Sequence, residues 1–442
     1  MVNETNEVDA PRVLRVALLG CGTVGAQVAR TMLTQREDLA AKSGCELDLV
    51  GVAVHDAGRP RPGIPDELLT DDPEALVADG GADIVIELIG GIDPPRRLVL
   101  SAIDRGASVV TANKALLAKH GEEIYAAAER EGVDIYYEAA VAGAIPIVRP
   151  LRESLVGDQI LTIMGIVNGT TNYILDKMTT EHQDFATALA TAQRLGFAEA
   201  DPTADIEGFD AASKAAILAS LAYHSTVRID DVYREGITGV TSEDIEAAES
   251  MGCVIRLLAI ARLDEAGRIE VRVHPATVAR EHPLAMVQGA NNAIFVEAAN
   301  AGRLMFMGPG AGGSPTASAV TGDLVTVARN RLRGVENPAH SVYQGLPVAP
   351  MSETRTRYHL RFQVVDQPGV LAAAAGLLAG NRVSIHSVHQ HAPRADDRPT
   401  GTAVLSMVTH LAREADVMAC IAELERTGYV HGQVRFMRAE GL

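Results

Sequence analysis

The sequence predicts an α/β protein: a doubly wound parallel sheet, a central α+β domain, and a C-terminal ferredoxin-like βαββαβ domain. Three observations predict this order. Strands and helices alternate up to about residue 150, and an almost entirely apolar helix lies in the middle region. After residue 355, apolar and polar residues alternate one by one, as in a β-strand. The 442 residues are enough for about three domains. We predict these domains at 1–150, 151–345 and 356–437, and helices at about 315–335 could pack back on the first domain.

Composition excludes several classes of partner. Acidic residues outnumber basic ones, 57 against 39, for a net charge of −18. We expect no nucleic acid and no membrane partner, because the chain is acidic and has neither tryptophan nor a bilayer-length apolar run. The four cysteines form no C-x-x-C pair and the first residues are polar, which predicts a cytoplasmic protein with reduced thiols.

A glycine-rich turn follows the first predicted strand, Leu14 to Leu19, and leads into a helix. Residues 20–25 read G-C-G-T-V-G. Gly20 allows a tight turn, Gly22 lets a pyrophosphate approach the backbone, and Gly25 lets helix and strand pack closely. Because strand, turn and helix come in the required order, the pattern favours dinucleotide binding in a Rossmann-type sheet over an unrelated glycine-rich turn.

Three further strands are predicted, at residues 84–89, 108–111 and 134–138. Parallel sheets bind their ligands at the carboxyl ends of the strands. Gly90-Gly91 and the run Thr111-Ala-Asn-Lys114 lie at such ends.

A helix predicted over residues 211–222 is apolar or small on every face and should be buried. Lys214 is its only charge, and an unpaired buried lysine is costly. Asp210 lies four residues earlier, close enough to pair with it. The spacing alone fits a structural ion pair, or an N-cap at Asp210, as well as it fits a reacting group. Acidic residues just upstream favour a site: Glu199, Asp201, Asp205 and Glu207.

Two runs in this region resemble the homoserine dehydrogenase family. One is N-G-T-T-N-Y-I at residues 168–174, and the other is A-x-x-x-G-F-x-E-x-D-P-x-x-D-I-x-G-x-D-x-x-x-K at residues 192–214. The run G-P-G-A-G-G-S-P-T-A at residues 308–317 is similar too, so the likeness covers about residues 12–345. It implies reversible, NAD(P)-dependent interconversion of L-homoserine and L-aspartate 4-semialdehyde.

The resemblance also implies roles for single residues. Lys214 would donate a proton to the aldehyde oxygen, while Asp210 and Glu199 would bind the substrate. Lys114, counted as catalytic with Asp210 and Lys214, would lie at the junction of cofactor and substrate. The cofactor would contact Gly20, Gly22, Thr23, Val24, Gly25, Thr111, Lys114, Gly196, Glu199, Gly310 and Gly312.

These residue types suit the implied chemistry. Reduction leaves a developing alkoxide, which an ammonium group can both stabilise and protonate. Arginine is too weak an acid for the second task. Glu199 and Asp210 offer acceptors for the substrate's α-ammonium group. Oxidation of homoserine needs neutral Lys214 and should be favoured at high pH.

A structural Na⁺ site is implied at residues 138–146, E-A-A-V-A-G-A-I-P. Its ligands would be Glu138, Val141, Gly143 and Ile145, largely through backbone carbonyls. The family more usually has glycine where this chain has Ala144, a small change that should leave the carbonyl ligands untouched.

Cofactor preference depends on the end of the second predicted strand, Leu47 to Val54, where residues 54–61 read V-H-D-A-G-R-P-R. An acid here would bind a ribose 2′-hydroxyl and favour NAD, whereas arginine favours a 2′-phosphate. We predict a preference for NADP(H) through Arg59 and Arg61, with NAD(H) possible. NADPH-preferring relatives often have arginine where His55 stands, and the alternative is that both arginines are solvated loop residues.

A Gly- and Pro-rich linker at residues 333–350 precedes the last domain. Alternating Tyr358, Leu360 and Phe362, followed by D-Q-P-G-V-L at residues 366–371, resemble an ACT domain, an amino-acid-sensing module. L-threonine is then the implied effector, bound between paired domains of a homodimer or homotetramer. A plain dimerisation module is the alternative. If the domain senses threonine, a chain stopped near Val348 should stay active and ignore it.

Three interpretations stay open at this level. His386, His389 and His391 lie near the second strand of the last domain, where we expect solvated histidines rather than a metal site. The protein could be a non-catalytic nucleotide-binding sensor, although a sensor has no need of Glu199 and the Asp210–Lys214 pair. A related semialdehyde dehydrogenase is the third possibility.

Overall fold

The computed structural model describes residues 12–79, 81–335, 344–391, 394–395, 398–399 and 401–441. The chain forms two compact units, each made from three stretches. Unit 1 takes Met1–Ile160, Ala216–Asp230 and Asn291–Gly345, and unit 2 takes Leu161–Ala215, Asp231–Ala290 and Leu346–Leu442. The three predicted domains stay a prediction, since the middle region contributes to both units. Residues 336–343 of the predicted linker lie outside the described residues.

The elements follow one another in three groups. The first group is β1 Val13–Leu19, α1 Thr23–Thr34, α2 Arg36–Ser43, β2 Glu46–Ala53, β3 Leu69–Thr70, α3 Pro73–Asp79, β4 Ile84–Glu87, α4 Pro95–Asp104, β5 Ser108–Thr111, α5 Lys114–Glu131 and β6 Ile135–Tyr136. The second is β7 Ile160–Ile166, α6 Gly169–Thr180, α7 Phe185–Arg194, α8 Thr203–Ile206, α9 Phe209–Ala222, β8 Tyr233–Arg234, α10 Ser242–Ser250, β9 Cys253–Leu263, β10 Ile269–Ala279, β11 Asn291–Ala298, β12 Gly302–Pro309 and α11 Gly313–Arg333. The third is β13 Arg355–Val365, α12 Val370–Gly380, β14 Ile385–His391, β15 Arg394–Ala395, β16 Arg398–Pro399, β17 Thr402–Thr409, β18 Ala412–Arg413, α13 Glu414–Glu425 and β19 Val430–Glu440.

Unit 1 contains the predicted parallel sheet, in the order β3-β2-β1-β4-β5-β6. Strand β4 and the second half of β1 are buried along every residue, as apolar strands covered on both faces must be. The strand order reverses between β1 and β4, so a ligand crevice is expected outside the carboxyl ends of these two strands. The doubly wound prediction is confirmed.

Helix α11 belongs to the same hydrophobic core. Val320, Leu324 and Val327 on one face of α11 are buried in the cluster that holds Val16 and Val28. The helix ends at Gly334, whose φ of 61° lies in the left-handed region typical of a glycine after a helix. Since α11 follows β12 directly, it fixes the loop at residues 310–313 against this core.

Unit 2 contains an extended mixed sheet, with strands in the order β7-β9-β10-β19-β13-β17-β14. The last four form the predicted βαββαβ domain, with α12 and α13 packed over a core that includes Tyr358, Leu405 and Leu424. Strand β19 also pairs with β10 in parallel, from Ala276 opposite Arg438 to Val278 opposite Glu440. The ferredoxin-like prediction is confirmed, and its sheet continues directly into the central one.

Two details differ from the sequence prediction. The long antiparallel pair β9–β10 was not predicted, because its strands are buried along nearly their whole length and lack alternation. The strand predicted at 134–138 covers only Ile135–Tyr136 and gives way to a 3₁₀ turn from Glu138. No helix in the described part of the chain is both long and apolar enough to cross a membrane.

Candidate active site

The glycine-rich turn after β1 has the geometry that its spacing predicts. Gly20 has a φ of 96°, and a Cβ there would lie 2.6 Å from the carbonyl oxygen of Leu88. A Cβ at Gly25 would lie 2.0 Å from the carbonyl oxygen of Gly20, whereas one at Gly22 would meet open space. Gly22 precedes the first turn of α1, so the helix amides face the open side of the turn. A pyrophosphate therefore fits at Gly22.

The loop before α11 lies against this turn within unit 1. A Cβ at Gly313 would lie 3.0 Å from Cγ2 and 3.2 Å from the carbonyl oxygen of Thr23. Gly312 has a φ of 125°, and Gly310 is packed so closely on Asn292 that a Cβ would overlap its side-chain amide. Three predicted cofactor residues are thus brought together: Thr23, Gly310 and Gly312. Val24 packs on the hydrophobic core.

The two arginines after β2 differ in their surroundings. Arg59 is exposed, whereas Arg61 is partly buried and its Nε is a buried donor without an acceptor among the described residues. Burial raises the pKa of the Cys21 thiol in the glycine-rich turn, and the charges of Arg61 and Arg30 oppose that rise. The charge of Arg61 therefore lies near the turn.

A buried carboxylate joins the ends of β4 and β5. Glu87 accepts hydrogen bonds from the amides of Ile89 and Gly90, at 2.8 and 3.1 Å, and from the Thr111 hydroxyl at 2.6 Å. The Asn113 side chain caps the first turn of α5, where Lys114 is the first residue. Sequence analysis missed Glu87, although a carboxylate ending an apolar strand before Gly90-Gly91 was a usable signal.

The predicted ion pair on α9 forms in unit 2. Lys214 is 8% exposed, and its Nζ donates to Asp210 Oδ2 at 2.7 Å and to the carbonyl oxygen of Val167 at 2.6 Å. Asn168 Nδ2 donates to the same oxygen of Asp210 at 2.9 Å. Strand β7 ends one residue before Val167, so the end of a central strand and the start of a buried helix meet at this ammonium group.

A second carboxylate supports this pair. Asp205 accepts from Asn168 Nδ2 at 2.7 Å and from the Thr170 hydroxyl at 3.1 Å, so Asn168 bridges Asp205 and Asp210. Glu199 is exposed, and Gly196 adopts a left-handed φ of 77°. No side chain in the described part of the chain forms a hydrogen bond or ion pair with the Glu199 carboxylate. Asp205 was among the acidic residues singled out in the sequence, but its bridging role was not predicted.

The turn at residues 138–145 is held by one carboxylate and contains buried carbonyls. Glu138 accepts from the backbone amides of Ile147, Val148 and Arg149, while its own amide donates to Asp323 at 2.8 Å. Burial raises the pKa of Asp323 to about 7 against the opposing charge of Arg149.

Backbone geometry in this turn favours an oxygen-lined site. Ala142 and Gly143 both have left-handed φ values, 56° and 59°, and a Cβ at Gly143 would lie 2.5 Å from the carbonyl oxygen of Gly310. Within the described residues no donor reaches the carbonyl oxygens of Val141, Gly143 or Ile145, all buried. A hard monovalent cation fits such carbonyls. Among described residues there is no cluster of three or more His, Cys, Asp or Glu side chains that could hold a metal.

The C-terminal domain has an exposed turn and a separate cavity. Gly369 precedes α12 as its N-cap with a φ of 94°, and a Cβ there would meet open space. On the opposite face of the sheet, a cavity of about 910 Å³ is lined by residues that include Arg357, His359, His389 and Glu281. The side chain of His391 lies outside the described residues.

The predicted site residues thus fall into two groups. Unit 1 contains the glycine-rich turn, Arg61, the loop 310–313, Lys114 and the oxygen-lined turn. Unit 2 brings together Asp210 and Lys214 with Asn168 and Asp205, and carries Gly196 and Glu199 on the segment after α7.

Comparison with known proteins agrees with these features. Family models match for the homoserine dehydrogenase NAD-binding domain at residues 20–138, homoserine dehydrogenase at residues 146–325, and the ACT domain at residues 358–426. Homoserine dehydrogenase of Mycobacterium tuberculosis is 53% identical over 430 residues, which cover 96% of this chain and 97% of that protein.

Two solved structures add to this. The crystal structure of a homoserine dehydrogenase from Thiobacillus denitrificans has a TM-score of 0.89 and 40% identity, covering 97% of this chain and 98% of its own. A hyperthermophilic archaeal homoserine dehydrogenase in complex with NADPH has a TM-score of 0.61 and 28% identity, covering 72% and 98%. The chain therefore belongs to the homoserine dehydrogenase family of oxidoreductases and carries an ACT domain.

Proposed function

We propose that the protein interconverts L-aspartate 4-semialdehyde and L-homoserine with Lys214 as the acid–base residue, a step in threonine, methionine and isoleucine biosynthesis. The observation that carries the proposal is the buried Lys214 ammonium group, whose three N–H donors have two acceptors, Asp210 Oδ2 and the Val167 carbonyl, among the described residues. The remaining N–H is available to a substrate oxygen.

Each group has a distinct task in the reaction. A bound NAD(P)H supplies hydride to the aldehyde carbon. Lys214 hydrogen-bonds the aldehyde oxygen, stabilises the developing negative charge and donates its proton. Asp210 holds the ammonium group at 2.7 Å, and Asn168 fixes Asp210. The exposed Glu199 carboxylate and Asp210 bind the substrate's α-ammonium group, and Lys114, at the start of α5, contacts cofactor and substrate.

We propose NADP(H) as the preferred cofactor, with NAD(H) possible. The pyrophosphate of the cofactor would be held by the glycine-rich turn, at Gly20, Gly22, Thr23, Val24 and Gly25. The remainder of the cofactor would contact Thr111, Lys114, Gly196, Glu199, Gly310 and Gly312. The unmet donor of Arg61 near the turn supports a 2′-phosphate contact, as does the NADPH complex of the archaeal relative. Arg59 is exposed and would contribute less.

We propose that the turn at residues 138–145 binds a structural Na⁺ through the carbonyl oxygens of Glu138, Val141, Gly143 and Ile145. The unmet buried carbonyls of Val141, Gly143 and Ile145 support three of these ligands, whereas the Glu138 carbonyl accepts from the Val141 amide at 3.4 Å. The cation would hold the turn together and take no part in proton transfer. Replacing Na⁺ by choline should lower the melting temperature and leave the KM for homoserine unchanged, whereas an unchanged melting temperature would exclude the site.

We propose that the ACT domain confers feedback inhibition by L-threonine, with the effector bound at the exposed Gly369 turn between paired domains of a homodimer or homotetramer. Exposed amides at a left-handed glycine suit an amino-acid carboxylate. Gly369→Asp should abolish threonine inhibition, whereas Ser406→Phe, which fills the cavity on the opposite face, should not. The reverse result would move the site to the cavity.

One measurement tests the reaction as a whole. The purified chain should reduce NADP⁺ when given L-homoserine, and a rise in pH should favour this direction. L-serine and L-threonine serve as substrate controls. Cofactor binding without turnover would favour a non-catalytic sensor, and turnover of another semialdehyde alone would favour a related dehydrogenase.

A further inference from the structure

The last strand of the ACT domain carries a buried arginine that reaches into the central part of unit 2. Arg438 on β19 is 1% exposed. Its Nε and Nη2 donate to the carboxylate of Glu414 at the start of α13. Its Nη1 donates to Glu235 Oε2 at 2.7 Å, and Nη2 also donates to the Tyr233 hydroxyl at 3.2 Å. Arg438 therefore ties an ACT helix to the segment at residues 233–237.

This segment in turn supports the polypeptide just before α9. Arg234 donates to the carbonyl oxygen of Glu207, and its guanidinium carbon lies 3.5 Å from the centre of the Phe209 ring. The Ile237 amide donates to the carbonyl oxygen of Ile206 at 2.8 Å. The segment at residues 206–209 is thus held by both side-chain and backbone contacts.

The contact between these two segments leaves no spare room. A Cβ at Gly236 would lie 2.4 Å from the carbonyl oxygen of Ile206 and 2.6 Å from the Cα of Glu207. Gly208 adopts a φ of 78°, which few other residues tolerate. Because packed groups move together, a displacement of residues 233–237 should displace residues 206–209.

The supported segment lies between the two carboxylates of the site. Asp205 precedes it and Asp210 follows it, and Asn168 bridges both carboxylates. Asp210 holds the Lys214 ammonium group. A shift of residues 206–209 would therefore change the environment of that ammonium group.

We propose that Arg438 is a positioning residue for the reaction: through Glu235 and Arg234 it fixes the segment that presents Asp205 and Asp210 to Lys214. The ACT domain thereby sets the geometry of the acid–base pair, and an effector that moves α13 or β19 has a direct path to it. The proposal rests on the proposed role of Lys214.

The test is the pH dependence of kcat for L-homoserine oxidation by the full-length chain. Arg438→Met and Glu235→Gln should each lower kcat about tenfold and move the acidic limb of the profile by about half a pH unit or more. Arg438→Lys should restore part of the change. A substitution that only reduces the fraction of folded enzyme lowers kcat equally at every pH and leaves the acidic limb of the profile where it is.

Arg272→Met is the matched control. Arg272 is also 1% exposed and lies in the same β10–β19 seam, but its guanidinium donates to Glu270, Glu440 and His274 instead. Arg272→Met should lower kcat by the same factor at every pH and leave the pH of the acidic limb unchanged. If Arg438→Met does not fold, Glu235→Gln decides, since the Glu235 side chain is 42% exposed and its loss should be tolerated.

Two outcomes would overturn the proposal: profiles of Arg438→Met and Glu235→Gln that superimpose on the parent after scaling, or an equal shift in Arg272→Met. Failure of the proposed function is a separate result. In that case Lys214→Arg keeps normal turnover, whereas a failed positioning role leaves Lys214→Arg inactive and the Glu235→Gln profile unshifted.

Discussion

Two buried cations in unit 2 differ in the chemistry that is open to them. The Lys214 ammonium group has three donors and two acceptors among the described residues. The Arg438 guanidinium uses four of its five donors, on two carboxylates and a hydroxyl. Each cation therefore keeps one donor without an acceptor among the described residues. Only the lysine can also transfer a proton to a substrate oxygen, whereas the arginine stays charged and holds protein groups in place.

The choice of side chain follows the same division. A lysine can donate and take back a proton during a reaction, whereas an arginine stays charged and forms several fixed hydrogen bonds. The chain has 39 basic residues, only five of them lysines. A lysine at position 214, with an arginine at position 438, matches proton transfer in one place and rigid positioning in the other.

The largest effect is expected from replacing Lys214, the cation proposed to react. Lys214→Arg keeps the charge but removes a usable proton, so kcat should fall at least about 100-fold while cofactor binding persists. Steady-state kinetics and NADPH fluorescence titration measure the two quantities.

Lys177→Arg is the control for lysine replacement in the same unit. Lys177 lies on α6 and pairs with Glu181 at the surface, so its replacement should leave kcat within about twofold. Near-normal turnover in Lys214→Arg would remove the acid–base assignment and with it the contrast with Arg438.

The two cations were not equally predictable from sequence. Asp210 and Lys214 are four residues apart on one predicted helix, so their pairing follows from helical geometry. Arg438 and Glu235 are 203 residues apart, and only the pairing of β19 with β10 brings them together. Local spacing carries no information on such contacts, and the same holds for Glu138 and Asp323, 185 residues apart.

The second prediction concerns removal of Arg438 together with the whole ACT domain. From the sequence, a chain stopped near Val348 was expected to stay active. The structure adds a stability cost to this cut, because it removes β19 from the edge of β10 and leaves Arg272 without Glu440. Breaking a buried pair in this way should lower the free energy of unfolding by about 3–5 kcal/mol.

Urea unfolding of the truncated and full chains measures the loss. Glu440→Gln and Glu243→Gln form a matched pair of single substitutions, since Glu440 is buried against Arg272 while Glu243 meets Arg361 at the surface. The first should destabilise and the second should be nearly neutral. A truncated chain as stable as the parent would show that the ACT domain is merely appended.

His359 is a third buried base in unit 2, and it differs from Lys214 and Arg438 because it is held neutral. Burial, followed by the charge of Arg361, lowers the pKa of His359 to about 4, against about 6.5 in an unfolded chain. The unfolded state therefore binds a proton first as the pH falls. Stability due to His359 is complete above about pH 6.5 and is lost by about pH 4, by at most about 3 kcal/mol.

His359→Asn should flatten this part of the stability curve between pH 6.5 and 4, as followed by urea unfolding at several pH values. Replacing the exposed His431 by Asn serves as the control and should leave the curve unchanged. An equal flattening in both variants would show that burial of His359 does not matter for acid stability.

The smallest effect is expected at Arg61 in unit 1. It tests whether a buried N–H without an acceptor marks a ligand site there, as we propose for Lys214 in unit 2. The sequence predicts Arg59 and Arg61 together, but of the two only Arg61 has a buried Nε without an acceptor among the described residues. Its charge opposes the rise in the pKa of the Cys21 thiol in the glycine-rich turn. By analogy with Lys214, Arg61 should bind the 2′-phosphate.

Arg61→Ala should therefore raise the KM for NADPH about tenfold, equivalent to about 1.4 kcal/mol, and leave the KM for NADH nearly unchanged. Arg59→Ala should change either value by less than about threefold, because an exposed charge contributes little. Initial rates with both cofactors in both variants decide the matter. An equal effect of Arg61→Ala on NADPH and NADH would mean that its unmet donor reads no phosphate, and that the contrast between Lys214 and Arg438 does not extend to the cofactor site.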